Sequence, residues 1–225
     1  MNNLTLIIPA KNEKESLPSV LDELIKFNFK PLIILEEKDT ETIESIKNYD
    51  CKLIFQTQKG YGNALIEGIQ NVTTKNFCIF NADGSFDPVE LEKMYNLVEI
   101  EKYDLVFGSR YEKNAGSEDD TIITLIGNKI FSFFGKVFFS LPITDILYTF
   151  VLGNTEKTKK LKLNQKDFGF CVELPIKARK TGLKIISSNS YERKRIGGKK
   201  KVNAFKDGFL ILIFMAKLFF WKKDN

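Results

Sequence analysis

Histidine is absent from this chain of 225 residues, and cysteine is scarce. Without histidine, the chain cannot form a His-containing triad, a His-ligated zinc site or an imidazole base. Acid–base chemistry therefore falls to Asp, Glu, Lys, Tyr or an ionised substrate. The three cysteines, Cys51, Cys78 and Cys171, lie far apart without the spacing of a metal site. Such cysteine usage is typical of a reducing cytoplasm.

Long apolar runs are also missing. The first apolar run, 4–9, ends at a proline after six residues, so we expect no secretory signal. The stretch 209–221 is interrupted by Lys217 and is shorter than the roughly 20 residues that span a bilayer. Hydrophobic residues make up 43% and charged residues 28% of the chain, which is typical of a globular protein.

Apolar segments alternate with amphipathic ones, and no internal repeat is evident. This alternation predicts an α/β fold with a largely parallel sheet covered by helices. The predicted strands are 4–8, 31–36, 52–56, 76–80, 104–108 and 183–188. The predicted helices are 14–27, 40–48, 62–71, 87–101, 121–139 and 170–181. We expect one main domain, 1–202, followed by a carboxy-terminal apolar and basic helix in 203–225.

The segment Asn81-Ala82-Asp83-Gly84 directly follows a predicted buried strand. A carboxylate at that position faces the crevice in which open α/β sheets bind ligands. Its oxygens suit Mg²⁺ or Mn²⁺ that also contacts a diphosphate. The alternative is an ordinary turn, because Asn, Asp and Gly are common turn residues.

Three further segments accompany this motif in a fixed order. They are the strand 4–9 followed by Ala10-Lys11-Asn12-Glu13, the glycine-rich helix start 59–69, and the strand ending Gly108-Ser109-Arg110. Taken together, these residues resemble family 2 glycosyltransferases of the polyprenol-phosphate sugar transferase type. The likeness covers most of residues 4–200 and implies a GT-A fold, a mixed and mostly parallel sheet flanked by helices.

The resemblance implies an inverting, metal-dependent glycosyltransferase that uses a nucleotide-sugar donor. Its acceptor would be a lipid phosphate or a glycan, and its cofactor Mg²⁺ or Mn²⁺. Asp83 would be the principal metal ligand, with Asn81 standing where the family commonly has a first aspartate. The implied nucleotide-sugar-binding residues are Pro9, Ala10, Asn12, Glu13, Glu36, Glu37, Lys59, Gly60, Asn81, Ala82, Asp83 and Arg110.

Two more carboxylates are candidate catalytic groups beside Asp83. Asp145 begins a segment that keeps the aspartate and Phe150 of a family motif but lacks its glycine and arginine. Asp145 could be a base, an acceptor ligand or a strand cap. Glu173 resembles a family acid that faces the active site, and pairing with Lys177 four residues later is an equally good interpretation. The polar loop 112–120 could act as a lid.

Basic residues are concentrated in 193–201, which holds six of them. By the resemblance, Arg193, Arg195, Lys199 and Lys200 would bind phosphate groups of the donor or acceptor. A phosphate acceptor is ionised and needs no general base. The alternative is a solvated loop that attracts anionic lipid heads.

The carboxy-terminal segment is apolar on most sides and basic at its ends, which favours a helix in the membrane interface. The phenylalanine-rich region 125–151 would dock beside this helix and extend the same surface. Burial of this helix against the domain or a partner is the alternative. We therefore expect a cytoplasmic protein, peripheral on the inner face of the cell membrane and possibly a homo-oligomer.

Other functional classes remain open at this point. A nucleotidyltransferase is disfavoured, because no Gly-rich, basic loop follows the first strand. A nucleic-acid-binding protein is disfavoured, because the basic residues are local and do not interleave with aromatic ones. Asn81 and the missing arginine suggest a catalytically degenerate, membrane-associated scaffold of the same fold.

Overall fold

The structure is a computed structural model that describes residues 1, 3–197 and 204–222. The strands, in chain order, are β1 (Leu4–Pro9), β2 (Leu32–Leu35), β3 (Lys52–Phe55), β4 (Asn76–Ile79), β5 (Leu105–Ser109), β6 (Gly116–Ser117), β7 (Val151–Asn154), β8 (Ile185–Asn189) and β9 (Tyr191–Glu192). The helices, in chain order, are α1 (Leu17–Lys26), α2 (Thr40–Ser45), α3 (Tyr61–Asn71), α4 (Glu90–Glu99), α5 (Ile122–Phe139), α6 (Thr155–Lys159), α7 (Phe170–Lys180) and α8 (Ala204–Phe220).

The main sheet of the described residues has seven strands in the order β3-β2-β1-β4-β7-β5-β8. Strand β7 runs antiparallel to both of its neighbours, and the other pairings are parallel. The mixed, mostly parallel sheet of a GT-A fold is therefore confirmed. Each predicted strand and helix is present, with ends displaced by three residues at most.

Helices cover both faces of this sheet because successive strand residues point to opposite sides. In β1, Ile7 faces a core formed with α3, α7 and α8, whereas Leu6 and Ile8 face a core formed with α1 and α4. Most buried strand residues are apolar on both faces, as expected for a sheet covered on two sides, and Asn76, Ser109 and Ser188 are buried polar exceptions. The carboxyl ends of β1, β2 and β4 consequently meet at one edge.

The carboxy-terminal helix predicted in 203–225 is present as α8, and it packs against α5 and α7. Ile211, Met215 and Leu218 form its buried stripe and join the larger core cluster. Lys180 of α7 fixes the end of α8, because its Nζ donates to the carbonyl oxygens of Leu218, Phe219 and Trp221 at 2.7–2.8 Å.

Three features were not predicted, and one of them is the short helix α6. Strand β7 lies inside the sheet, between β4 and β5. Gly153 brings it close to β5, since a Cβ there would lie 2.2 Å from Leu105 Cδ2. Gly153 interrupts the apolar pattern that usually indicates a strand, and the strand has only four residues. The loop 112–120 was expected to be irregular, but Gly116–Ser117 pairs with Tyr191–Glu192 to form a small second sheet.

Candidate active site

A cavity of about 790 Å³ opens at the carboxyl ends of β1, β2 and β4. This is the position at which open α/β sheets bind ligands. The cavity brings together most of the predicted nucleotide-sugar-binding residues. These are Pro9, Ala10, Asn12, Glu13, Glu36, Gly60, Asn81, Ala82, Asp83 and Arg110.

The loop after β1 is held open by contacts with α2. Asn12 adopts a left-handed conformation, with φ of 52°, and its N–H donates to Asp39 Oδ2 at 2.6 Å. The N–H of Glu13 donates to Thr42 Oγ1 at 3.0 Å. Asp39 also caps α2, so one side chain fixes both the helix and the loop. Asp39 is not among the residues predicted for the site, although an aspartate just before a predicted helix is a typical N-cap.

Glu36 stands at the end of β2 between two lysines. Its Oε1 accepts from Lys11 Nζ at 3.0 Å, and its Oε2 lies 2.9 Å from Lys38 Nζ. Hydrogen bonds from Lys38 and then Lys11 lower the pKa of Glu36 from 4.5 to about 2. Glu36 is therefore an ionised acceptor at neutral pH. Glu37 and Lys59 lie in a smaller pocket that adjoins the cavity at Glu36.

Glycine at positions 60 and 62 allows two loops to touch. Gly60 has a φ of +113°, and a Cβ there would lie 2.3 Å from the carbonyl oxygen of Lys166. A Cβ at Gly62 would lie 2.1 Å from the carbonyl oxygen of Gln165. Any larger residue would push the segment 165–167 away from α3 and change the cavity wall.

Asp83 lies on the cavity wall with its carboxylate partly engaged. Its Oδ1 accepts from the N–H of Ser85 at 3.0 Å, and its Oδ2 lies 3.6 Å from Nη1 of Arg195. Asn81 donates its amide to Ser85 Oγ at 3.2 Å, so its carbonyl oxygen is the atom suited to a cation.

This donor set fits a hard divalent cation. Asp83 supplies carboxylate oxygens and Asn81 a neutral amide oxygen, and both are hard ligands. In the described part of the chain, no three acidic or cysteine side chains converge as a complete metal site. A bound ion would therefore complete its shell with diphosphate oxygens and water, as Mg²⁺ commonly does.

Arg195 is held on the far side by Asp119, a residue that sequence reasoning missed. Its Nη2 and Nε donate to Asp119 Oδ2 at 2.8 and 3.2 Å. Burial disfavours the charged guanidinium, but Asp119 and Asp83 more than offset this and raise the pKa of Arg195. Arg195 thus places a permanent positive charge on the cavity wall.

Arg110 lines the cavity and forms a buried pair with Asp145. Nε and Nη2 of Arg110 donate to Oδ2 and Oδ1 of Asp145 at 2.7 and 3.0 Å, and Nη1 donates to Glu192 at 3.1 Å. The guanidinium also lies over the ring of Tyr148, at 4.6 Å from its centroid. Both oxygens of Asp145 are thus occupied by one arginine, which fixes the loop before β7.

Glu173 is fully buried at the first turn of α7. Its carboxylate accepts from the backbone N–H groups of Asn164 and Gln165 at 2.9–3.1 Å and pairs with Lys177 at 2.7 Å. Of the two interpretations of Glu173 in the sequence, the ion pair with Lys177 four residues later is therefore observed. These bonds fix the segment that packs against Gly60 and Gly62.

The basic segment divides into two parts. Arg193 forms a bidentate pair with Glu23 of α1 at 2.8 and 2.9 Å, so it anchors the segment, whereas Arg195 reaches the cavity. Lys199 and Lys200, predicted to bind phosphate, lie outside the described residues.

The opposite wall of the cavity was not predicted. It is apolar and is formed by α5, α8 and the loops at 147–149 and 167–168. Its apolar side chains are Ile123, Ile126, Ile130, Phe131, Leu147, Phe168 and Ile211. Long-range packing assembles this wall, and no local sequence pattern shows it.

Solved structures with the same architecture include glucosyl-3-phosphoglycerate synthase from Mycobacterium tuberculosis, in complex with Mn²⁺, UDP and glucosyl-3-phosphoglycerate. It superposes with a TM-score of 0.71 over 99% of this chain and 81% of that chain, at 13% identity. Mannosyl-3-phosphoglycerate synthase from Rubrobacter xylanophilus gives a TM-score of 0.68 over 96% and 73%, at 11% identity. These likenesses establish the fold.

Sequence comparison points in the same direction. An uncharacterized glycosyltransferase of Mycobacterium tuberculosis is 28% identical over 97% of this chain and 96% of its own length. Glycosyltransferase AglJ of Haloferax volcanii is 21% identical over 92% and 69%. The model of glycosyl transferase family 2 matches residues 5–162, which is more than half of the sequence. The chain belongs to glycosyl transferase family 2.

Proposed function

We propose that this chain transfers a sugar from a nucleoside-diphosphate sugar to a lipid-phosphate or glycan acceptor at a membrane surface, with inversion at the anomeric carbon. One observation carries the proposal. A single cavity joins the ends of β1, β2 and β4 to Asp83, to the guanidinium of Arg195 and to an apolar wall. The strand ends, Asp83 and Arg195 suit a nucleotide-sugar donor, and the apolar wall suits an acceptor from a lipid layer.

The nucleoside would bind between the loop after β1 and the end of β2. Glu36 is ionised there and can accept hydrogen bonds from ribose hydroxyls or from a base N–H. Asn12 and Glu13 are fixed by α2, so the loop needs little reordering when the nucleotide arrives. Pre-ordered contacts of this kind reduce the entropic cost of binding.

The diphosphate would lie against Asn81, Asp83 and Arg195. Asp83 and Asn81 would hold Mg²⁺ or Mn²⁺, and the ion would supply positive charge to the leaving diphosphate. The guanidinium of Arg195 would donate to the same phosphate oxygens. In the transfer, the bond from the anomeric carbon to the diphosphate oxygen breaks while the bond to the acceptor oxygen forms.

Asp145 and Glu173 act as positioning residues in this proposal. Asp145 is saturated by Arg110, and Glu173 is saturated by loop backbone and Lys177. A general base must reach the proton that it removes. A lipid phosphate is already ionised at neutral pH, so this acceptor would need no such base.

Membrane association rests on the outer faces of α5 and α8. We call these exposed side chains the apolar outer face: Ile122, Ile123, Ile126, Ile130, Phe133, Val137, Phe138, Phe209, Leu210, Leu212, Ile213, Phe219 and Phe220. A patch of this extent marks an interaction site. Exposed lysines flank it at positions 129, 136 and 217, and α5 has no acidic residue. That combination favours an anionic lipid surface.

Helix α5 is long and apolar enough to cross a membrane, judged by length and composition. Its packing favours a position along the surface instead. Asn128, Ser132, Gly135 and Phe139 are buried against the domain, and Ser132 Oγ accepts from the N–H of Ile146 at 3.1 Å. The buried, reduced cysteines Cys78 and Cys171 favour the cytoplasmic side, where nucleotide sugars would be supplied.

Donor use is tested by a thermal-shift screen of GDP-, UDP-, CDP- and dTDP-sugars with Mg²⁺ or Mn²⁺, followed by measurement of nucleotide release. A donor at about one hundred times its Kd stabilises the fold by about 2.7 kcal/mol. For a protein of this size that raises Tm by roughly 5–10 °C. Absence of binding to every nucleotide would favour a catalytically degenerate scaffold.

Asp83→Asn should lower metal-dependent release by about a hundredfold or more, because one electrostatic group at the developing charge has that effect. Asp87→Asn is the matched control. Asp87 accepts from the N–H of Val89 at 3.0 Å, and asparagine can keep this bond. Equal activity in both variants would remove Asp83 from the proposed site.

Membrane binding is tested by vesicle co-sedimentation of Ile122→Asp and Ile100→Asp. The two isoleucines are similarly exposed, at 76% and 71%, but Ile100 follows α4 on the other face of the sheet. Burying an isoleucine stabilises by about 1.5–3 kcal/mol, so Ile122→Asp should weaken binding to anionic vesicles by roughly tenfold or more. Equal pelleting of the wild type and both variants would contradict surface binding through α5.

A further inference from the structure

A buried lysine on α7 lies between the carboxy-terminal helix and a loop of the cavity wall. The side chain of Lys177 is 4% exposed, and its Nζ pairs with Oε1 of Glu173 at 2.7 Å. Nζ also donates to the carbonyl oxygen of Lys162 at 2.8 Å and lies over the ring of Trp221, 5.3 Å from its centroid. A buried ammonium needs such partners, because an unpaired charge away from water is costly. Lys177 therefore joins three parts of the chain.

On its inner side, the lysine fixes the loop before α7. Lys162 adopts a left-handed conformation, with φ of 50°, which persists in a residue other than glycine only where its surroundings hold it. Lys177 bonds the carbonyl oxygen of this residue. Glu173 accepts from the N–H groups of Asn164 and Gln165 at 2.9–3.1 Å. The buried pair of Lys177 and Glu173 thus determines where this loop lies.

The same loop touches the start of α3 at the cavity wall. The N–H of Asn63 donates to the carbonyl oxygen of Lys166 at 3.0 Å, and the absence of a Cβ at Gly60 and Gly62 allows the two backbones to meet. Gly60 and Asp167 both line the cavity. A shift of the loop would therefore move the start of α3 and the wall beside it.

On its outer side, the lysine is covered by the residue that follows α8. The carbonyl oxygen of Trp221 accepts from Lys180 Nζ at 2.8 Å, and Leu218, one turn earlier, is buried in the larger core cluster. The indole therefore keeps its place over Lys177 while α8 is docked on α7. Tryptophan is the aromatic side chain that attracts a cation most strongly, and the attraction is larger where water is excluded.

We propose that Lys177 is a positioning residue that couples the docking of α8 to donor binding. Trp221 holds the ammonium, Lys177 and Glu173 fix the loop before α7, and this loop fixes the start of α3. Among the described residues, neither Lys177 nor Trp221 lines the cavity, so both act through other residues. The inference rests on the proposed function, which assigns the donor to this cavity.

The test compares three replacements in the full chain. Trp221→Leu removes the aromatic face over Lys177, whereas Trp221→Phe keeps one on a smaller ring. Phe27→Leu is the matched control, because Phe27 is an exposed aromatic residue at the end of α1, which packs on the other face of the sheet. All three variants keep the buried pair of Lys177 and Glu173, so each should fold.

Amide hydrogen exchange of the ligand-free protein, followed in residues 162–167, measures how firmly the loop is held. We expect Trp221→Leu to speed exchange there about fivefold, because a desolvated cation–π contact is lost. Trp221→Phe and Phe27→Leu should stay within about twofold of the wild type. Unchanged exchange in Trp221→Leu overturns the proposal. Equal acceleration in both Trp221 variants also overturns it, because packing alone would then explain the contact.

Donor kinetics give the second readout, with the nucleotide sugar and Mn²⁺ that bind in the thermal-shift screen. KM for the donor should rise about fivefold in Trp221→Leu while kcat stays within about twofold, because a loosened wall weakens binding throughout the reaction. An unchanged KM, with or without a fall in kcat, overturns the positioning role. If no nucleotide binds to the wild type, the proposed function fails, and the exchange result alone decides whether Trp221 holds the loop through Lys177.

Discussion

Replacement of Asp145 by asparagine separates a positioning role from a catalytic one. The side chains of Asp145 and Arg110 are 0% and 8% exposed, and the two bonds between them are 2.7 and 3.0 Å long. Removing one partner of such a buried pair costs about 3–5 kcal/mol. Glu192 remains 3.1 Å from Nη1 of Arg110 and keeps part of the charge compensated, so we expect a loss of about 3 kcal/mol.

For a chain of this length, that loss corresponds to a fall in Tm of roughly 6–12 °C. Asp50→Asn is the matched control, because Asp50 pairs with Lys30 at the surface, where their side chains are 72% and 74% exposed. Such an exposed pair contributes less than about 1 kcal/mol. Both variants are followed by thermal unfolding and by nucleotide release well below Tm.

The activity of Asp145→Asn should stay within about tenfold of the wild type, since loss of a general base typically costs 10²–10⁴-fold. A variant that melts like the Asp50→Asn control but loses about a thousandfold in kcat would refute this reasoning. It would show that the carboxylate acts on the substrate and that the pair with Arg110 opens during turnover.

Three further outcomes follow from the same contacts. The free energy of unfolding lost in Glu36→Gln should be constant above about pH 4.5 and vanish as pH falls toward 2. The lowered pKa of Glu36 keeps its pairs with Lys38 and Lys11 ionised through that range. Urea unfolding of both proteins at several pH values measures this loss, and a loss already gone at pH 4 would contradict the prediction. Lys180→Met should speed amide hydrogen exchange at the end of α8, because the carbonyl oxygens of Leu218, Phe219 and Trp221 lose a charged donor. Unchanged exchange there would show that packing alone fixes the end of this helix. Burial raises the pKa of Cys171 to about 12, so its thiol should resist iodoacetamide at pH 8 until the protein unfolds, and mass spectrometry of the native protein would detect early labelling.

Local patterns in the sequence were sufficient to predict the main strands and the edge at which they end. The runs 4–8 and 76–80 are apolar except at Thr5 and Asn76 and are followed by Asn12 and Asp83, so the sequence showed each strand together with its ligand-facing loop. Strand β7 was missed because Gly153 interrupts its apolar pattern, although contact with Leu105 requires that glycine.

Partners distant in the chain could not be predicted. Asp145 reaches Arg110 across 35 positions, and Arg195 reaches Asp119 across 76. The sequence therefore identified titratable residues without showing which of them were already paired. The apolar cavity wall needs α5 and α8 side by side, and their contact agrees with the expected docking of the phenylalanine-rich region beside the carboxy-terminal helix, whereas the opening of the cavity onto this wall depends on the whole fold.

Arg195 lies between two carboxylates, bonded to Asp119 at 2.8 Å and 3.6 Å from Oδ2 of Asp83. In the proposed site a divalent cation would compete with this guanidinium for Oδ2 of Asp83, and Asn81 would add a neutral oxygen rather than a second charge. If a donor and its ion displaced Arg195 from Asp83, the guanidinium would keep its two bonds to Asp119. It would then stay within reach of the phosphate oxygens, so the small sheet beside Asp119 would serve the proposed donor site as well as the fold.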